Sequence, residues 1–203
     1  EILIGLVGSE MCIRDRLGIC LCGGVFAQTQ LKIISFNIHA GYDAPISDIA
    51  AFIKEQDPDI VALQEVEYYT NRTGANTPRP INNNINMLNE LAYLTGMHGM
   101  FYVTLEKCYG GKFGNAILSK HSFDETRRIM LPCAAGTEQR NAAIADIKLP
   151  DGTEFSIVDT HIDMSKLDNG MSQIKEVNRI PQLGKHYICL LYTSPSPRDR
   201  SVS

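Results

Sequence analysis

Positive charge is scarce in this sequence. Its 203 residues carry 19 Lys and Arg against 23 Asp and Glu, a formal net charge of −4, which excludes a broad basic surface able to hold a nucleic-acid backbone by charge alone. A polyanionic ligand has to be bound locally, with a metal ion screening it. No apolar run approaches the roughly 20 residues that span a bilayer, so no transmembrane anchor is expected and the mature protein should be soluble. Internal repeats are absent. What is present, 44% hydrophobic and 21% charged residues, is the composition of a globular chain of one or at most two domains.

The two ends differ from the middle. LVGSEMCIRDR, Leu6 to Arg16, and CLLYTSPSPR, Cys189 to Arg198, can be encoded by one DNA element read in opposite orientations. That element resembles a transposase-type sequencing adapter, so residues 1–16 and 189–203 are expected to be adapter-derived and are set aside from fold reasoning. The alternative for the second is a natural Ser/Pro-rich tail. Four basic and four acidic residues leave with the ends, and the net charge stays at −4. Residues 17–27, LGICLCGGVFA, are apolar and close on Val25-Phe26-Ala27 before polar QTQ. Small or apolar residues one and three positions before a cut suit a signal peptidase, so this segment is expected to be the end of an export signal, placing the protein in the periplasm or outside the cell. A first buried strand is the competing reading. Of six cysteines, only Cys108 and Cys133 then belong to the mature domain. Their spacing, without a neighbouring His, excludes a zinc site, while a disulfide and two separate thiols both stay open.

The domain expected over residues 28–188 alternates strand and helix, then continues in strands. LKIISFNI, Leu31 to Ile38, alternates and is rich in β-branched residues. Ile46, Ile49, Ala50 and Ile53 recur at helical spacing in ISDIAAFIKEQ, which stops before Asp57-Pro58. IVALQ follows as a second strand, and this order implies parallel neighbours in a covered sheet. NRTGANTPRPINNN is a loop by composition and INMLNELAYLT a helix. Further strands are expected at Met100 to Thr104, Phe113 to Leu118, Arg128 to Leu131, Asn141 to Leu149 and Phe155 to Thr160, with a hairpin at Asp151-Gly152. MSQIKEVNRIPQLGKHYI is read as a last helix.

Polar residues gather at the expected strand ends: Asn37, Glu65, Asn115, Arg140, and Asp159 with His161. Strand ends in a covered sheet are where a site can be assembled from distant segments. Each alone has an ordinary account: a turn cap for Asn37, a solvated strand end for Glu65, a surface ion pair for Arg140, a satisfied histidine for His161.

Together, SFNIHAG, PDIVALQEVE, GGKFGNAILSK, QRNAAIADI and VDTHID resemble the endonuclease/exonuclease/phosphatase superfamily, in family order from about Leu31 to His161. The resemblance implies a two-sheet α/β sandwich with outer helices and Mg²⁺-dependent cleavage of phosphate esters in nucleic acid, lipid headgroups or inositol phosphates; Mn²⁺ is a possible substitute. It implies that Glu65 is the metal-binding glutamate, since a carboxylate suits a hard cation that keeps several waters. Asn37 matches the asparagine that supports the metal and phosphate site, and is a candidate for both metal binding and catalysis. His161 matches the histidine expected to bond a phosphate oxygen or aid proton transfer. Arg140 matches a position that orders the site, where a guanidinium suits an anion. Asn115 lies in the family's GNAILS strand without an assigned role. Glu67 is either a supporting acid or a solvated one, and His39, His98, His121 and His186 match no catalytic position. No stable protein partner is implied.

Two family motifs do not occur: Gly-Asp-x-Asn, whose aspartate orients or deprotonates the attacking water, and a later Ser-Asp-His. Water activation and charge stabilisation are both needed for in-line attack at phosphorus. The expectation is therefore a truncated chain, ending before the C-terminal strands and catalytically inactive. A short protein that binds phosphorylated ligands without cleaving them is the alternative.

Overall fold

The structure, a computed structural model, describes residues 10–15, 30–71, 83–180 and 186–193. The expected export signal, most of the Asn-rich loop and residues 181–185 lie outside these.

Two mixed sheets face one another with helices on the outer sides. The first contains β1 (Glu10–Asp15), β2 (Leu31–Asn37), β3 (Ile60–Tyr68), β4 (His98–Cys108) and β5 (Gly111–Ser119), in the order β1-β2-β3-β5-β4. The second contains β6 (Phe123–Met130), β7 (Asn141–Lys148), β8 (Glu154–Ile162) and β9 (Tyr187–Thr193), in that order. β2 and β3 are parallel neighbours, as the strand, helix, strand order requires. The connecting helix, α1 (Ile46–Gln56), buries Ile46, Ile49, Ala50 and Ile53 and stops at Asp57, whose left-handed backbone (φ 46°) lets its N–H close on Ile53 O and Lys54 O. Pro58 bars continuation. In α2 (Met87–Thr95) the Asn86 side chain accepts from Asn89 N at the start, and Gly96 (φ 71°) ends the helix in a conformation that costs glycine nothing. α3 (Leu167–Val177) lies against the second sheet.

Period-two alternation builds three apolar layers. From β3, Ile60 and Ala62 point between the sheets, where they meet Ile33, Tyr102 and Ile117 of the first sheet and Ala143, Ala145, Ile147, Phe155 and Ile157 of the second. Val61 and Leu63 point the other way, onto Ile46, Ile49, Ile53, Met87 and Leu91 of α1 and α2. Ile144, Val158 and Ile162 of the second sheet meet Val177 and Ile180 at α3. Gly114 permits the close approach of β5 to β4: a Cβ there would overlap the Tyr102 carbonyl oxygen. Polar bonds also cross the gap between the sheets. Tyr102 Oη donates to Ile144 O at 3.0 Å, and Asn141 Nδ2 donates to Thr104 Oγ1 at 2.8 Å.

Several boundaries differ from expectation. β4 and β5 extend beyond their apolar centres because each is paired along its length. β6 begins at Phe123 rather than Arg128; half of FDETRRIM is charged, as suits an edge strand, whose outer backbone faces water. The last helix starts at Leu167 and ends at Val177, and Tyr187 opens a strand instead of continuing it. Both terminal segments set aside on sequence grounds carry edge strands: β1 pairs antiparallel with β2, and β9 pairs parallel with β8. Exposed edges present unpaired N–H and C=O groups that any β-prone segment can satisfy. Cys108 is buried and Cys133 exposed, and they are not joined in a disulfide. Among the described residues no helix is long and apolar enough to cross a membrane.

Ile117 is fully buried between the sheets. Ile117→Ala is expected to lower unfolding stability by about 2–5 kcal/mol through lost transfer energy and an unfilled cavity, measured by urea denaturation. Gly114→Ala is expected to destabilise as well, through backbone displacement of β4 from β5.

Candidate active site

Polar residues from β2, β3, β5, β7 and β8 meet in the gap between the sheets, and Glu65 and Asn115 lie inside their strands, not at strand ends as expected, because both strands continue past them. β3 breaks its own pairing there. Leu63 pairs with Ala116 and Val66 with Gly114, leaving Gln64 and Glu65 together opposite Asn115. This is a β-bulge, which re-aims a side chain at the expense of local pairing. Glu65 takes φ 57°, a left-handed conformation that costs a non-glycine residue on the order of 1 kcal/mol or more and persists only where neighbours hold it. Asn37, at the end of β2, is one such neighbour: its Nδ2 donates to Glu65 Oε1 at 3.0 Å, while its Oδ1 accepts from His39 N at 2.9 Å. The short 3-10 turn His39–Gly41 that supplies this N–H begins directly beyond the strand.

From the second sheet, His161 of β8 brings Nδ1 to 3.9 Å from Glu65 Oε1. Arg140, just before β7, donates from Nη1 to His161 Nδ1 at 3.3 Å and pairs with Glu138 Oε1 at 2.8 Å. Arginine only donates, so Nδ1 is the acceptor and the neutral ring carries its proton on Nε2. Burial of the ring, reinforced by the Arg140 charge, pushes the His161 pKa down to about 3, against an opposing pull from Asp163. The imidazole is therefore neutral across physiological pH. The Tyr192 ring of β9 lies edge-on to it, with centroids 5.3 Å apart.

The structure thus brings Asn37, Glu65, Arg140 and His161 together. Asn115 opposes the bulge and is 4% exposed, with no hydrogen-bond partner for its Nδ2 among the described residues. Glu67 is not the solvated acid weighed in the sequence: it is 1% exposed and accepts from Thr70 Oγ1. Sequence reasoning gave no part to Gln64 or Asp163. Gln64 Nε2 donates across the gap to Asp159 Oδ1 at 2.6 Å. Asp163 accepts from Glu138 N at 3.0 Å and from Ser165 N at 2.9 Å, so it ties the loop carrying Arg140 to the end of β8. The only signal for Asp163 was its place two residues after His161.

Among the described residues no three acidic, histidine or cysteine side chains converge as a closed metal cage. The donors at the bulge nevertheless fit a hard divalent cation of the Mg²⁺ type, which is held by one or two carboxylates and completes its octahedron with water and phosphate oxygens. Glu65 keeps Oε2 for such an ion while Asn37 holds Oε1, and the Asn37 carbonyl oxygen has a second lone pair.

The profile of the endonuclease/exonuclease/phosphatase family matches residues 34–168. No curated protein matches the chain. Among solved structures, an endonuclease/exonuclease/phosphatase from Beutenbergia cavernae is 23% identical with a TM-score of 0.59, over 72% of this chain and 43% of that one. A family protein from Leptotrichia buccalis is 17% identical with a TM-score of 0.60, over 79% and 65%. TDP2 from Caenorhabditis elegans is 19% identical with a TM-score of 0.55, over 84% and 48%. These likenesses concern the fold, and the chain spans 43% to 65% of the lengths of these structures.

The His161 environment sets a pH dependence. The unfolded chain takes up the imidazole proton near the ordinary value of 6.5, whereas the folded chain resists it down to about 3. The unfolded state binds more protons in that window, so this group's contribution to stability is intact above 6.5 and is lost as pH falls toward 3. In metal-free protein, NMR of the His161 ring is expected to show the Nε2–H tautomer at neutral pH and no protonation midpoint near 6.5.

Proposed function

Because the chain belongs to the endonuclease/exonuclease/phosphatase family, we propose that Glu65, Asn37, Arg140 and His161 form the metal- and phosphate-binding part of a phosphoric-ester hydrolase site. The observation that carries this reading is the Asn37–Glu65 bond at 3.0 Å beside the Arg140–His161 pair, with Glu65 held in a strained bulge. Glu65 would hold Mg²⁺, or Mn²⁺ in its place. The ion, when bound, supplies a Lewis acid that draws electron density from a phosphate oxygen.

The chain's own groups do the remaining work. Asn37 holds Glu65 through one carboxylate oxygen, which leaves the other for the ion. Arg140 supplies a permanent positive charge that favours an anionic phosphate. The neutral His161 ring, with its proton on Nε2, is a donor for a phosphate oxygen rather than a fixed second cation. Substrate classes consistent with these groups are nucleic acid, lipid headgroup and inositol phosphate; the net charge of −4 disfavours non-specific duplex binding.

In-line attack also requires groups that orient water, and the 203 residues contain neither Gly-Asp-x-Asn nor Ser-Asp-His. This supports a second reading, that the chain as given binds a phosphate ester without cleaving it. Export to the periplasm or beyond is proposed on residues 17–27 alone.

Titration calorimetry with Mn²⁺ is the test. Wild-type chain is expected to bind the ion and Glu65→Gln to bind at least about tenfold more weakly; a wild type that takes up no Mn²⁺ overturns the metal reading. With bis(p-nitrophenyl) phosphate and Mg²⁺, no hydrolysis by this chain is expected. Turnover that disappears in Glu65→Ala would overturn the binding-only reading.

A further inference from the structure

Two fully buried side chains at the site are left with unpaired acceptors if the carboxylate is ionised. Asp159 and Gln64 are each 0% exposed, and Gln64 Nε2 donates to Asp159 Oδ1 at 2.6 Å. The other atoms of the pair, Asp159 Oδ2 and Gln64 Oε1, have no hydrogen-bond partner among the described residues. Both are acceptors, and each orphaned buried acceptor carries a desolvation cost on the order of 1–3 kcal/mol. Among the described residues no Lys or Arg acts on Asp159: besides burial, its surroundings are the Gln64 amide and the Thr160 N–H. Among the described residues the titratable groups that face it are the Tyr102 hydroxyl from β4 and the Cys189 thiol from β9; burial pushes both of their pKa values up, and an ionised Asp159 would push them further. An ionised Asp159 would therefore be a buried charge without a counter-ion.

One proton resolves both deficits. A neutral carboxylic acid donates one bond and accepts another, which is the complement of a primary amide. We propose that Asp159 is a positioning residue: held as the neutral acid, it forms a reciprocal acid–amide pair with Gln64 that locks the bulge carrying Glu65 to the strand carrying His161. The placement in sequence is what makes the pair consequential. Gln64 is the other residue of the bulge, directly before Glu65, and Asp159 precedes His161 by two positions on the same face of β8. Ser35 Oγ of β2 also accepts from Gln64 Nε2 at 3.2 Å, so the amide spans both strands beside the site as well as the gap. Burial, the leading influence on Asp159, pushes its pKa well above the ordinary carboxylate range, in keeping with the neutral form. The relevance of the pair to metal binding rests on the Glu65 reading above; the protonation does not.

The full chain tests this in three measurements. Isotope-edited infrared or carbon NMR spectra of the Asp159 carboxyl are expected to show a protonated acid at neutral pH. A carboxylate signature there overturns the proposal. Asp159→Asn keeps one donor and one acceptor and is expected to retain Mn²⁺ affinity, whereas Asp159→Ala is expected to weaken it by about tenfold or more; an Asn variant as impaired as Ala overturns the proposal. Should Asp159→Ala fail to fold, pH-dependent stability of wild type against Asp159→Asn decides. The folded wild type holds a proton that the unfolded chain releases above 3.8, so the advantage of Asp159→Asn is expected to grow as pH rises; a constant difference overturns the proposal. If the wild type binds no Mn²⁺, the function proposed above fails, while the carboxyl spectrum still decides the protonation.

Discussion

Everything in this fold follows from the need to fill the space between two sheets. Packed sheets leave a layer about 10 Å thick, and inward-facing side chains from both must occupy it completely. Over most of its length that layer is Ile, Ala, Tyr and Phe, whose burial supplies on the order of 1.5–3 kcal/mol for each large side chain. At one end the same inward register delivers Ser35, Gln64, Asn115, Asn141, Asp159 and His161. Polar groups left dry without partners are costly, and several of these constrain one another. The bulge in β3 is the point where this constraint becomes useful: by placing two residues opposite one, it lets Gln64 close onto the second sheet while Glu65 meets Asn37.

The apolar pattern carried much of this in advance. Helical spacing in ISDIAAFIKEQ, β-branched alternation in LKIISFN and the Asp151-Gly152 turn marked elements that the structure contains, because in each case local propensity and burial agree. The charged edge strand β6 was half missed, since an edge need not be apolar to pair. Asn37, Glu65, Arg140 and His161 were singled out through five short motifs in order, not through periodicity, and the structure brings their side chains together. What could not be read was the register break at Leu63/Val66. A bulge is one residue more on one strand than on its partner, and a single sequence does not say which partner residue is skipped. The buried state of Glu67 was lost for the same reason, and the role of Asp163 depends on backbone N–H groups that no sequence pattern announces.

The ends of the chain carry a different lesson. Tyr187–Thr193 pairs with β8, and its Leu190 is 1% exposed within the layer between the sheets. Sheet edges and unfilled apolar space are generic acceptors, so a segment can join a core on pairing and hydrophobicity alone. Membership in the sheet is accordingly a statement about surface chemistry, separate from any statement about function.

The hydrogen bonds that cross between the sheets, from Gln64 to Asp159, from Tyr102 to Ile144 and from Asn141 to Thr104, also have a mechanical meaning. Apolar layers resist separation but only weakly resist sliding, because contact area changes little when one greasy surface slips over another. Directional bonds oppose such slip. Glu65 belongs to one sheet and His161 to the other, so their separation is governed by how far the two plates are free to shear, and these bonds act as its rivets.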